Sequence, residues 1–511
     1  MSTKIISAAL IGLEAEIIEV EADSGGGDFG QITIVGLPDT SVSEAKERVK
    51  SALRNCSYEF PRRKITVNLA PTSVKKHGPA YDLPIAISIL ALKNKFIMNP
   101  SDCLIVGELS LSGDVRAVSG ILAIALKTKR TGIKNLFIPH DNLSEAKLIS
   151  DITIFPVKSL VELVSHFKKT KLITPEMTQE KIYDLLLETK EDYTNIIDLS
   201  AIRGQEKAKR ALEIAAAGRH NILLVGPPGS GKTLLAKALP GIIPPLSSEE
   251  ILEVTNIYSI AGELKNNLTL ITKSPFRSPH HSASGISLIG GGAWPRPGEI
   301  SLAHRGVLFL DEFPEFVRSA LENLRQPLED RQITINRAAG SLKFPSNFIL
   351  IAAMNPCPCG YLGDKLIKCR CAEKQISNYR KRLSGPIVDR IDLHIYMPRI
   401  GFNELNGNHK TESSNSVKTR VEKARITQME RFKNEIFSTN SEMASDHTNR
   451  FCTLDKNGRE LLKAATNTLH LSSRSYFRIL KIARTIADLA NSGPILLEHV
   501  AEALQYRSKI E

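Results

Sequence analysis

The chain lacks an apolar run long enough to cross a bilayer. Its longest, residues 83–92, is half of the roughly 20 residues that a spanning helix needs. The apolar residues 5–13 do not form a secretory leader: Lys4 is the one nearby cation ahead of them, and Glu14 and Glu16 follow without a cleavage site. They read as a first β-strand in a cytoplasmic protein with no membrane partner. Cysteine is scarce, seven in 511 residues, which argues against a disulfide scaffold. No short-period repeat is present. Acids are in deficit: 55 Asp and Glu face 67 Lys and Arg, for a net charge of +12. Such a surplus suits a polyanionic partner without proving one. The length is too great for one core and implies two to four domains.

What is present begins with Gly226, Pro227, Pro228, Gly229, Ser230, Gly231, Lys232 and Thr233. Residues 221–225 (NILLV) before them read as a buried parallel strand. Residues 234–239 (LLAKAL) read as a helix stopped by Pro240. Glycines let backbone N–H groups curl around phosphate oxygens, and the helix N-terminus adds partial positive charge. Lys232 would reach the β- and γ-phosphates, and the Thr233 hydroxyl would bind Mg²⁺. This pattern in this context predicts a nucleoside triphosphate site, with ATP and Mg²⁺.

Residues 306–312 (GVLFLDE) form a short apolar run ending in two acids. A buried strand ending there places both acids where parallel-sheet sites lie. Asp311 would hold Mg²⁺, directly or through water, and Glu312 would polarise the attacking water. Lys232 and Asp311 stand 79 positions apart. A simple crossover takes about 30 residues. A loop or hairpin is therefore expected between them, around the glycine-rich residues 284–292.

Four cysteines cluster as C-x-C-x₉-C-x-C: Cys357, Cys359, Cys369 and Cys371. Four thiolates can close a tetrahedral Zn²⁺ site. The one-residue spacing is less usual than two, so partly buried thiols or redox-labile pairs remain open. Cys56, Cys103 and Cys452 are scattered and read as packed.

Residues 276–284 (FRSPHHSAS), 297–306 (PGEISLAHRG), 352–360 (AAMNPCPCG), 383–392 (LSGPIVDRID) and 483–489 (ARTIADL) carry a resemblance. The chain resembles the YifB/ComM family of magnesium-chelatase-like AAA+ ATPases over essentially its whole length. The resemblance implies an α/β multidomain protein. A Lon-protease-like (S5 domain 2-like) α+β domain would span 1–167 and a linker, with one helix, 168–198. The AAA+ P-loop α/β core would span 199–399 with inserted loops, and a helical C-terminal lid 400–511, after a polar stretch near 403–449. Asn355 matches sensor 1, Arg390 the arginine finger, and Arg474 the sensor 2 arginine, with Arg478 as an alternative one turn on. A surface arginine paired with Asp389 or Asp392 is the other reading of Arg390. Residues 202–205 match the stretch at the adenine edge. A finger acting on a neighbour requires a ring, and the family implies a homohexamer. In the Lon-like region Ala80 falls at the protease serine and Leu122 at its lysine, so neither nucleophile nor base remains.

The function implied is a hexameric DNA helicase promoting branch migration in natural transformation. Residues 332–344 read as a hairpin turning at Ala339 and Gly340, with Arg337 and Lys343 placed to meet phosphates of single-stranded or branched DNA. Arg296 beside Trp294 offers charge and stacking. The alternative is a chelatase-type motor subunit that remodels a protein partner.

Overall fold

Alternating apolar and polar residues turn the chain's start into a long antiparallel hairpin. Ser2–Ile11 pairs with Glu14–Gly25 around Gly12, whose φ of 62° suits glycine. Ala15, Ile18, Val20 and Ala22 are buried. The expected strand is therefore present, ending just before Gly12. The computed structural model describes residues 2–25, 30–61, 63–93, 96–177, 196–264, 270–292, 296–337, 340–401 and 411–507. The hairpin sits inside an eight-stranded mixed sheet. Its order is Glu176–Met177, Thr153–Val157, Asn135–Pro139, Cys103–Ile105, Ser2–Ile11, Glu14–Gly25, Lys64–Ala70, Ile32–Val35.

Helices Thr40–Asn55 and Asp82–Lys93 cover one face of this sheet, and Ile121–Thr131 the other. Asp82–Lys93 contains the apolar run 83–92. Its residues 82–90 are all buried, as an all-round apolar helix must be. Arg48 donates to Asp82 beneath it. Burial outweighs that pairing and pushes the Asp82 carboxyl up to about 6.

The second sheet is fully parallel, in the order Phe276–Arg277, Val307–Leu310, Ile349–Met354, Ile222–Val225, Leu393–Tyr396. Its central strands are buried along their length, as a sheet covered on both faces requires. The long Lys232-to-Asp311 interval is only partly an insertion. It holds the helix Ser248–Ala261 and the edge strand Phe276–Arg277. A small ribbon, Gly290–Gly291 with Arg296–Pro297, follows. The expected extra hairpin is that ribbon; the edge strand belongs to the sheet itself. Trp294 lies outside the described residues. The first domain rests on the helix Ser248–Ala261: Asn256 donates to the Leu13 carbonyl at 3.0 Å, and Ser259 hydrogen-bonds Glu145.

The C-terminal helices share one hydrophobic cluster with the parallel-sheet core. Composition misleads in the polar stretch near 403–449, where the helix Ser414–Arg431 stands. It needs only a thin buried stripe, Ser414, Val417, Val421, Ala424 and Gln428, and Gln428 donates to the Ala217 carbonyl at 3.1 Å. In the helix Ser473–Leu489 the apolar face is as expected, but it also buries Arg484 and Asp488. Asp488 receives Arg431, Arg484 and Asn440, so the pair is fully satisfied. A helix is expected within the 168–198 linker, of which residues 178–195 lie outside the described residues.

Candidate functional site

The strand Ile222–Val225 delivers the chain into the loop at the sheet's carboxyl edge, and the helix Lys232–Ala238 leaves it. Gly229 and Gly231 have φ of 77° and 92°, conformations that favour glycine. A Cβ on Gly226 would lie 2.4 Å from the Met397 carbonyl. Lys232 is buried, and its ammonium donates to the carbonyls of Gly226 and Pro227 at 2.7 and 3.0 Å and to Asn355 Oδ1 at 3.3 Å. Burial pulls its pKa down, and Asp311 opposes this. The Ser230 hydroxyl is buried without a hydrogen-bond partner. Three strand ends converge here, which is why residues 232, 311 and 355 meet.

Thr233 Oγ1 donates to Asp311 Oδ2 at 3.0 Å. A hydroxyl and a carboxylate so placed fit the protein side of a Mg²⁺ site. Asp311 is held by the Glu312 N–H at 2.9 Å. Glu312 has φ of 51°, an unusual conformation for a non-glycine residue, and its carboxylate stands beside His281 Nδ1 at 2.9 Å. The His280 ring lies against that of His281, tilted by 35° with centroids 4.1 Å apart. His281 follows the edge strand, 31 positions before Glu312, and the sequence reading gave it no role. Gln205 sits at φ 59° and donates to Ser230 and Pro398 carbonyls, tying residues 202–205 to the loop.

Two site candidates lie elsewhere. Arg390 is buried and pairs with Glu329 at 2.5 Å, while donating to the Pro386 carbonyl at 2.6 Å. Its partner is thus neither Asp389 nor Asp392. Arg474 is exposed and approaches the same Glu329 carboxylate at 3.6 Å. Among the described residues, no hydrogen bond or ion pair joins either arginine to residues 226–233, Asp311 or Glu312. Arg478 is committed to Asp392 at 2.6 Å. Asp392, held well below the usual carboxylate range chiefly by Arg478 and His220 against its burial, keeps that arginine in place.

Cys357, Cys359, Cys369 and Cys371 do converge: all four sulfurs lie within 4.8 Å of one another. The closest separations are 3.4, 3.6 and 3.7 Å. Four sulfurs about 2.3 Å from a tetrahedral zinc would stand about 3.8 Å apart, so the set fits the metal. Backbone N–H groups of Arg370 and Tyr361 pull the Cys359 thiol down to about 6. At Cys371 the Cys359 N–H also pulls downward, but burial and the neighbouring sulfurs outweigh it and push the thiol up to about 12. A dication among the sulfurs would offset that repulsion.

The hairpin is Gln332–Arg337 with Gly340–Pro345. Its closing pair is Arg337 with Gly340, so Gly340 belongs to the strand and not, as expected, to the turn. Ile333, Ile335 and Phe344 anchor it in a core, and Leu342 lies against Gly12 of the first domain. Lys343 is exposed on the opposite face. The Arg337 side chain lies outside the described residues. Arg296, in the ribbon, is exposed.

Models of three families match the chain. Subunit ChlI of Mg-chelatase matches residues 18–142, magnesium chelatase, subunit ChlI, residues 198–405, and its C-terminal part residues 411–507. The competence protein ComM of Haemophilus influenzae is 42% identical over 519 residues, covering 100% of this chain and 98% of that protein. The Escherichia coli protein YifB is 42% identical over 519 residues, covering 99% and 97%. Lon protease 1 of Hydrogenovibrio crunogenus is 25% identical over 160 residues, 29% of this chain and 19% of that protein. The chain belongs to the ComM/YifB family.

As a ComM/YifB member it is an AAA+ ATPase of the magnesium-chelatase-like group, and the phosphate loop and acidic strand occupy the edge where such a site belongs. Among the described residues, no helix of this ComM/YifB chain is long and apolar enough to cross a membrane. Ala80 lies in the short turn Pro79–Tyr81, and Leu122 is buried at the start of Ile121–Thr131. Neither side chain can act as nucleophile or base.

Proposed function

We propose that this ComM/YifB member is a ring-forming motor that hydrolyses ATP to move single-stranded or branched DNA, a hexameric helicase promoting branch migration in transformation and recombination. One observation carries the ring: the cations are split. Lys232, Thr233, Asp311, Glu312 and Asn355 meet at one edge, while Arg390 and Arg474 share Glu329 away from it. A phosphoryl transfer site needs cations for the charge that develops on the transferred group. Here a neighbouring subunit's Arg390 and Arg474 supply them, so each site is complete only at an interface.

Within one site, Lys232 binds the phosphates and Asn355 lies beside the γ-phosphate. Glu312 takes the proton from water as it attacks phosphorus, and His281 holds that carboxylate in place. Thr233 and Asp311 would hold Mg²⁺, which would supply positive charge against the phosphates. Zinc at the four cysteines would stiffen the segment after Asn355. The chain divides at 1–167, 168–198, 199–399 and 400–511. Its Lon-like first domain, lacking the dyad, serves as a scaffold, and the last helices form the lid.

The DNA part rests on the competence name carried by the Haemophilus influenzae relative, on exposed Lys343 and Arg296, and on the basic surplus. The matches to magnesium-chelatase models are the ground for a second reading, a chelatase-type motor that remodels a protein. ATPase assays with and without single-stranded and branched DNA separate the two. Stimulation of several-fold is expected; a rate indifferent to every DNA structure rejects the DNA reading.

A further inference from the structure

The segment holding the cysteines has a charge that nucleotide chemistry does not use. Residues 361–382 carry seven Lys and Arg against two acids, more than a third of the chain's net +12. Lys365, Lys368, Arg370, Lys374, Lys381 and Arg382 are exposed. Of these, Arg382 has an acid partner, Glu315 at 2.6 Å. Among the described residues, the other five make no ion pair. Asp364 is already held by Arg399 at 3.0 Å and by the N–H groups of Leu366 and Ile367. Arg380 Nε is buried without a partner, on the helix Glu373–Arg380.

Arginines of the C-terminal helices are mostly matched: Arg420 with Glu213 and Glu412, Arg450 with Glu435, Arg431 with Asp488. Uncompensated cations repel one another and raise the energy of the compact state unless a polyanion meets them. Here they surround a knob in which the four cysteine sulfurs converge and Arg399 pairs with Asp364. Open clefts of about 440 Å³ lie beside the helix, one lined by Arg318, Lys381 and Arg382 with Glu315 and Phe316, the other by Arg380 and Lys381 with Glu373 and Ile376. Small lipids or peptides need apolar enclosure, which such open clefts do not give. A nucleic-acid backbone needs several exposed cations, and six stand between Lys365 and Arg382.

The knob is also coupled to the nucleotide loop. Gly360 has φ of 86°, and a Cβ there would lie 2.7 Å from the Pro228 ring, so the two loops touch. Cys357 follows Asn355 by two residues, and Asn355 accepts from Lys232. Whatever pulls on the knob acts on the loop that grips phosphate.

We propose that the cysteine knob and the helix Glu373–Arg380 form a second DNA-backbone contact, distinct from the hairpin and mechanically joined to the phosphate loop. This rests on the DNA-motor reading above. The test is the variant K365Q/K368Q/R370Q in the full chain, with K456Q/R459Q/K463Q as a control that removes three exposed cations elsewhere. Affinity for a labelled 40-nucleotide single strand is measured from low to moderate salt, together with zinc content and ATPase rate. The knob variant should bind at least about tenfold more weakly, with a log–log salt slope smaller by about 2, from roughly 0.7 per lost contact. Basal ATPase and zinc content should match wild type, while stimulation by DNA falls. Unaltered DNA binding by the knob variant, or an equal loss in the control, overturns this proposal and leaves the motor reading standing. Failure of the wild type to bind or respond to any DNA overturns both. Equal displacement by polyglutamate reassigns the knob to an acidic protein partner.

Discussion

Glu312 stands at φ 51° with one carboxylate oxygen beside His281, and the two residues make separable predictions. Replacing Glu312 by Gln keeps size and hydrogen bonding but removes the base. ATP binding should persist while turnover falls by roughly 10²–10⁴, the range for a positioned base. Retention of labelled ATP on the variant, alongside phosphate release, checks this; a normal rate ends the assignment. His281 acts on Glu312 and not on phosphate, so His281→Ala should lower kcat by about tenfold or more with little change in KM for ATP. His281→Gln should restore part of the rate. A KM effect alone would mean that His281 contacts the nucleotide. Lys232, Thr233, Asp311 and Glu312 were legible because each motif is contiguous and its chemistry local. His281 was visible inside a family motif, yet its role depends on how an edge strand lies against Val307–Leu310, which spacing does not show. The partner of Arg390 was missed for the same reason: Glu329 is 61 positions away, whereas Asp389 and Asp392 are near in sequence only.

Among elements, the hairpin and the cysteine knob show what a pattern can and cannot specify. The alternation in residues 332–344 placed both strands, but the register moved Gly340 out of the turn. Side-chain parity then fixes which residues are buried: Ile333, Ile335 and Phe344 go inward, and Lys343 must face out. The helix Ser414–Arg431 was hidden, since five buried residues, two of them polar, do not dominate an eighteen-residue composition. For the cysteines, spacing alone left zinc, free thiols and redox pairs open, and the sulfur separations favour the metal. Purified protein should contain close to one zinc per chain, and C357S/C359S should contain none. Because Gly360 packs on Pro228, metal loss should also weaken ATP binding, by several-fold. Metal analysis with an ATP titration checks both. Zinc-free protein prepared without chelators would exclude the site, and unchanged ATP affinity after zinc loss would show that the knob and loop move independently.

At the scale of the molecule, the sequence conveyed the strands that carry the nucleotide motifs and the last long helix, while the order of both sheets and the joints between them came from the structure. The first domain seats on the helix Ser248–Ala261, and Leu342 of the hairpin touches Gly12. Both contacts join residues more than 240 positions apart, beyond the reach of periodicity. The joint that matters most is one between copies. Arg390 and Arg474 meet at Glu329, remote from the loop of their own chain, and Arg390 is held there by a carboxylate and a carbonyl. If they serve a neighbour's nucleotide, Arg390→Ala should bind ATP normally and hydrolyse it roughly 10³-fold or more slowly, the scale of a lost arginine finger. Lys232→Ala should fail to bind ATP. Neither alone turns over, but each retains what the other lacks. In a mixed ring, an interface that pairs an intact loop from one chain with an intact arginine from the next is whole. With random mixing of equal amounts, a quarter of interfaces have this composition, so activity should return to an appreciable fraction of wild type. Subunit exchange is verified separately, by transfer of a fluorescent label. Light scattering in non-hydrolysable ATP should show a mass near six chains. A mixture that exchanges subunits freely and stays inactive would place Arg390 in its own chain's site, and the ring would lose its catalytic reason.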